Sequence, residues 1–233
     1  MPGKNIKVRS REGGEFDCYL SLPDTTGKAP VVVFACAIFG IDKDMRDLAD
    51  EFASHGYITA APDLFWRTIP GPLDLEDPRA RERSQPRLEN IRKGEADLAD
   101  TLAEVRKLSQ SNGRAVAVGY CYGGPYAIVG PKRLGFDAGV SCHGSQMQDF
   151  VKDLEGVTQP VCIIWGDQDP QAAPPILEAF DKAGANKTKK NLQVHVIPGV
   201  HHGYMFPAVK KAYHPPTREF SMKHALDILK GLS

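Results

Sequence analysis

The chain has 233 residues, 42% hydrophobic and 25% charged, a length and balance suited to one globular core. Lys plus Arg and Asp plus Glu match at 29 each, so no net field recruits nucleic acid or an anionic membrane. No apolar run is long enough to span a bilayer, and residues 1–14 lack the apolar core of a signal peptide.

Taken in chain order, residues 5–22 read as two strands around Gly13-Gly14, an antiparallel hairpin. Val31-Val32-Val33-Phe34 is a continuous apolar run, as a strand buried on both faces requires. Met45, Leu48, Ala49, Phe52 and Ala53 then recur at helical spacing up to Gly56. Residues 57–64 form the next strand, followed by a long polar, proline-containing connection over 66–86. Leu98, Leu102, Val105 and Leu108 mark the buried face of a long helix, and Ala115 to Val118 is again a strand. A helix is predicted from Ala127 onward and another near Asp149, with strands at 137–142 and 161–165. A helix over 174–183, a strand over 192–197 and a closing helix striped by Ala225, Ile228, Leu229 and Leu232 complete the pattern. Alternating strand and helix implies an α/β fold: one domain over 1–233, with a mostly parallel sheet covered on both faces.

Five cysteines, Cys18, Cys36, Cys121, Cys142 and Cys162, form no CxxC pair, which argues against a disulfide scaffold and a zinc ribbon. Free thiols without a leader point to the cytoplasm. Cys142 and Cys162 lie in apolar runs as small buried hydrophobes. Cys121 is different. It sits in Gly119-Tyr120-Cys121-Tyr122-Gly123-Gly124, directly after a strand and before a predicted helix. This is G-x-S-x-G with cysteine for serine: glycines allow backbone to crowd a strained turn that presents the nucleophile. The helix start favours a thiolate, and the next backbone N–H, that of Tyr122, faces a developing oxyanion.

Such a nucleophile needs a histidine and a carboxylate, which in this fold follow it in the order acid, then histidine. Gly166-Asp167-Gln168-Asp169 follows one strand and Gly199-Val200-His201-His202-Gly203-Tyr204 follows another. Asp169, nearer the loop tip, is the preferred acid over Asp167, which suits a turn; His201 and His202 both qualify as base. His143 also ends a strand and would line the site.

With these residues in view the chain resembles the dienelactone hydrolase family over nearly its whole length. The likeness is carried by the hairpin, Ala37-Ile38-Phe39-Gly40, Ala61-Pro62-Asp63-Leu64, the G-Y-C-x-G-G elbow, Gly166 to Asp169 and Gly199 to Tyr204. The resemblance implies an α/β-hydrolase fold, a Cys121–His202–Asp169 triad and oxyanion donors on the backbone of Tyr122 and Ile38. It also implies no cofactor or metal, a small-molecule ester or lactone as substrate, and a monomer or homodimer. Arg81 matches one of two arginines that hold a substrate carboxylate in the family, within a basic run, Arg79, Arg81 and Arg83, that also reads as a solvated loop face. Tyr204 and Phe206 are further candidate substrate contacts. Two departures stand out: Ala37 replaces a glutamate that helps generate the family's thiolate, and Met205-Phe206 replaces the second arginine. A less acidic, more apolar ester or lactone is therefore expected. The competing reading is a weakly active binding protein or a redox sensor in which Cys36 resolves an oxidised Cys121.

Overall fold

A computed structural model describes residues 2–233. The strands are β1 (Lys4–Arg9), β2 (Glu15–Ser21), β3 (Ala29–Ala35), β4 (Ile58–Pro62), β5 (Ser111–Tyr120), β6 (Ala138–Cys142), β7 (Val161–Gly166) and β8 (Leu192–Ile197). They form one eight-stranded sheet in the order β1-β2-β4-β3-β5-β6-β7-β8. β1 and β2 pair antiparallel, β2 pairs antiparallel with β4, and every later pairing is parallel. The predicted hairpin forms, with Gly13 and Gly14 at φ +98° and +84° in its turn.

Every residue of β3, β4, β6 and β7 is buried, which explains why these segments read as unbroken apolar runs rather than alternating ones. Helix α1 (Lys43–Ser54) starts where the Asp42 carboxylate accepts the Met45 N–H at 2.9 Å, and it buries Met45, Leu48, Ala49 and Phe52. Helix α3 (Arg87–Val105) packs Ile91, Leu98, Leu102 and Val105 inward, whereas Leu108 lies beyond its end. Helices α5 (Pro174–Lys182) and α6 (Pro215–Lys230) complete the cover.

Three segments differ from the sequence reading. The long connection holds a short helix, α2 (Arg79–Glu82). After the elbow, α4 (Tyr126–Val129) lasts one turn and then widens into a π-type turn over Gly130–Leu134, where Pro131 has no N–H to continue the α ladder. Near Asp149 the backbone winds as tight 3-10 turns over Met147–Leu154; Met147 and Phe150, three apart, point to the core together.

The strand order reverses at β3. From it the chain moves outward to β4, then returns across to β5 on its other side. The carboxyl ends of β3 and β5, paired at Ala35 and Gly119, therefore open onto a crevice, the place where open α/β sheets seat their ligands.

Candidate active site

Strand β5 ends at Tyr120 in extended conformation, and Cys121 then turns sharply with φ +49°, in the left-handed region that a side chain enters at a cost of about 1–2 kcal/mol. The surrounding glycines permit this. A Cβ on Gly119 would lie 2.1 Å from the Gly123 carbonyl oxygen, and one on Gly123 would lie 2.1 Å from that of Ala35. The Cys121 carbonyl is pinned by the N–H groups of Gly124 (3.0 Å) and Ser145 (2.9 Å), so the turn is held from both sides. The thiol is half-buried and lies 3.6 Å from the Ser145 hydroxyl.

Asp169 and His202 come from the loops after β7 and β8. Asp169 is buried; one carboxylate oxygen accepts the Gln171 N–H at 2.9 Å and the other meets His202 Nδ1 at 2.7 Å. That leaves His202 Nε2 for the thiol: the ligating atoms of Cys121, His143 and His202 all lie within 4.8 Å of one another. The neighbouring candidates separate by geometry. Asp167 is exposed and braces the next loop by accepting the Gly199 N–H at 2.7 Å, and His201 is exposed.

Burial alone would raise the Cys121 thiol, but the charge of His202 and the closeness of the His143 and His202 imidazoles outweigh it and bring the thiol well below its ordinary value. Burial likewise opposes the charged form of His202, yet the Cys121 thiolate and the Asp169 carboxylate raise it to about 10. Both shifts run in the direction of a thiolate–imidazolium pair. The other four thiols are buried, and burial pushes Cys18, Cys36, Cys142 and Cys162 up to about 12. That makes Cys36 a poor attacking thiolate for the redox reading.

Register explains the third member of the cluster. Tyr120 pairs with Cys142, so the next residue on each strand, Cys121 and His143, emerge side by side. His143 is 1% exposed at φ +41°, and neither ring nitrogen has a hydrogen-bond partner among the described residues. Its ring is walled by His202, Tyr204 and Phe206, with centroids 4.9, 5.2 and 5.7 Å away. Tyr204 is itself buried, with its hydroxyl 2.9 Å from that of Ser221, so it supports the His143 ring. Phe206 is 7% exposed and also packs on Tyr120, giving this side of the cluster an apolar wall.

Ile38 and Tyr122 lie beyond the paired ends of β3 and β5, on the two sides of the crevice. The Tyr122 ring is buried between Phe65 (4.8 Å between centroids) and the Arg87 guanidinium (5.0 Å). Arg81 is exposed on α2 and, with Ile38 and Phe39, lines a cleft of about 310 Å³. Its neighbour Arg83 departs from the solvated face suggested by the basic run: only 1% exposed, it stacks over Phe65. It donates to the carbonyls of Ile38 (2.8 Å), Ile69 (2.8 Å) and Gly71 (2.6 Å), tying the Ile38 loop to the long connection. Sequence inspection missed Arg83 and Ser145, because three arginines alternate through the connection and Ser145 belongs to no motif.

Known proteins agree with this architecture. Residues 16–233 match the dienelactone hydrolase family model. A carboxymethylenebutenolidase from Cupriavidus pinatubonensis is 33% identical over 207 residues, covering 86% of each chain. One from Pseudomonas putida is 31% identical over 211 residues, covering 88% of this chain and 86% of its own. A solved structure described as a putative dienelactone hydrolase, from Klebsiella pneumoniae, superposes with a TM-score of 0.80 over 98% of both chains at 18% identity, a likeness of fold. An eight-stranded sheet with an antiparallel start, matched from residue 16 to the end by one family model and over most of its length by carboxymethylenebutenolidases, identifies the chain as a lactone or ester hydrolase of the dienelactone hydrolase family.

Proposed function

We propose that the chain hydrolyses an uncharged, apolar carboxylic ester or lactone through Cys121, His202 and Asp169. The observation that carries this is the 2.7 Å contact of Asp169 with His202 Nδ1, which turns the other ring nitrogen toward a thiol on a strained elbow. Cys121 thiolate attacks the carbonyl carbon and forms the C–S bond. Backbone N–H groups of Tyr122 and Ile38 receive the oxyanion. As the tetrahedral adduct collapses, the C–O bond breaks and the His202 imidazolium gives its proton to the leaving alkoxide, leaving a thioester.

Acylation also prepares the second half. Much of what raises His202 is the Cys121 thiolate, and that charge disappears once sulfur is acylated. His202 then remains neutral after releasing its proton and takes one from water, whose oxygen attacks the thioester carbonyl. Collapse expels the thiolate, frees the acid and restores the resting pair.

The preference for an uncharged substrate rests on Phe206, which packs against His143 beside the thiol. Ala37, Met205 and Phe206 are all buried and offer no charge, and Arg81 stands on an exposed helix with no second arginine at the Met205-Phe206 position. A carboxylate taken out of water without bidentate partners would be costly to bind. The deciding experiment ranks a panel of lactones and aryl esters, each with and without a carboxylate, and measures p-nitrophenol release from p-nitrophenyl acetate. A burst abolished in Cys121→Ala and His202→Ala, with uncharged members turned over faster, is expected. No burst and no turnover refutes the mechanism; faster turnover of carboxylates refutes the specificity.

A further inference from the structure

His143 is out of place as a wall residue. A buried imidazole with both ring nitrogens unpaired is costly to keep, since each buried polar atom without a partner costs about 1–3 kcal/mol. It is also held at φ +41°, a conformation tolerated by few side chains. Tyr204 and Phe206 fix its ring with an edge toward the cluster where Cys121 and His202 converge. One sulfur and two imidazole nitrogens within 4.8 Å of one another are a soft donor set.

We infer that Cys121, His143 and His202 form a binding site for a borderline-soft divalent cation of the Zn²⁺ class, with occupancy that switches the nucleophile off. Tetrahedral zinc has Zn–S near 2.3 Å and Zn–N near 2.0–2.1 Å, which sets donors about 3.3–3.6 Å apart. The widest pair must close by about 1.2–1.5 Å, a movement assigned to the half-buried Cys121 and His202 side chains. His202 is already oriented for this role. Its Nδ1–H faces the Asp169 carboxylate at 2.7 Å, the outer-shell arrangement that zinc-bound histidines use, and its Nε2 is the ligating atom. Cys121 and His202 are only half-buried, so a water or chloride can complete the fourth position from the crevice. Binding takes one lone pair each from the Cys121 sulfur and the two imidazoles, and any proton on a ligating atom passes to solvent. Mg²⁺ and Ca²⁺, which seek hard oxygen donors, have no comparable set here.

The test uses the intact protein and Co²⁺ as a spectroscopic stand-in for Zn²⁺. Titration should saturate at one Co²⁺ per chain with thiolate-to-cobalt charge transfer and the intense visible bands of a tetrahedral site, displaced by Zn²⁺ and untouched by Mg²⁺. Zn²⁺ should also protect Cys121 from iodoacetamide. Cys121→Ala should abolish the charge-transfer band. His143→Asn, chosen because asparagine tolerates the left-handed backbone, should weaken Co²⁺ binding by at least about 100-fold, since even an outer-shell loss costs 10–100-fold. Circular dichroism of each variant verifies that the fold persists. Absence of a saturable band, or a band that survives in His143→Asn with undiminished affinity, overturns the site. None of these readouts needs turnover, so a failed hydrolase assay and a failed metal site are told apart.

Discussion

Replacing Arg83 by methionine probes how the oxyanion side of the crevice is held. The guanidinium donates to three carbonyls, those of Ile38, Ile69 and Gly71, and so ties together three points of the chain. Hydrogen bonds from a charged donor are each worth about 1.5–3 kcal/mol, so the gross loss is about 4.5–9 kcal/mol. Returning a buried guanidinium to water in the wild-type unfolded state offsets several kcal/mol of this, leaving a net destabilisation of about 3 kcal/mol. For a chain of this size that lowers Tm by about 6–12 °C, at about 2–4 °C per kcal/mol. The loop carrying Ile38 is then free to move its N–H, and a misplaced oxyanion donor lowers kcat by up to about 10²-fold with KM little changed. Thermal melting and steady-state hydrolysis of p-nitrophenyl acetate measure both effects, and Arg83→Lys should recover part of each. An Arg83→Met enzyme that melts with the wild type and retains its kcat would refute the reasoning.

Asp169→Asn keeps the 2.9 Å acceptor for Gln171 N–H but presents an amide N–H to His202 Nδ1, fixing the wrong tautomer; kcat should fall by about 10³–10⁴, read by ester hydrolysis. The iodoacetamide rate at Cys121 should be on its plateau at neutral pH and fall only on the acid side, because a lowered thiol loses its reactive form when protons return; an inflection near 8.5, the value of a free thiol, would contradict it. His202→Ala should move that inflection upward, since burial then acts unopposed by the imidazolium. Gly123→Ala drives a Cβ into the Ala35 carbonyl and should destabilise by about 3 kcal/mol or more in urea unfolding, whereas Gly27→Ala, in open space, should be near neutral.

Most of the frame was legible because it is written in short-range pattern. Val31 to Phe34 and Val161 to Trp165 are apolar runs, and they are strands buried on both faces. The glycines around Cys121 are legible for a steric reason, each standing where backbone already fills the space of a side chain. The choice between His201 and His202 was not local. It depends on Asp169, 33 residues away, and on which imidazole the β8 loop turns inward. Arg83 escaped notice because its three acceptors are main-chain carbonyls, which leave no mark in the side-chain sequence. The position of His143 beside Cys121 follows from the β5–β6 register, a long-range property that periodicity does not encode. The helix expected after the elbow failed at Pro131, where hydrophobic spacing continued but the hydrogen-bond ladder did not.

The parallel order of the sheet has a consequence for how the chain acquires its chemistry. Cys121, Asp169 and His202 follow β5, β7 and β8, so they meet only after crossovers have closed and β6 has been inserted between them. Parallel pairings bring together segments distant in sequence and must meet their loop-closure entropy before any contact repays it, which makes them slow to form. Recovery of a rapidly alkylated thiol during refolding therefore follows completion of the carboxyl-terminal half of the sheet, and far-UV signal should return before it. The nucleophile is a clock for the last stage of assembly.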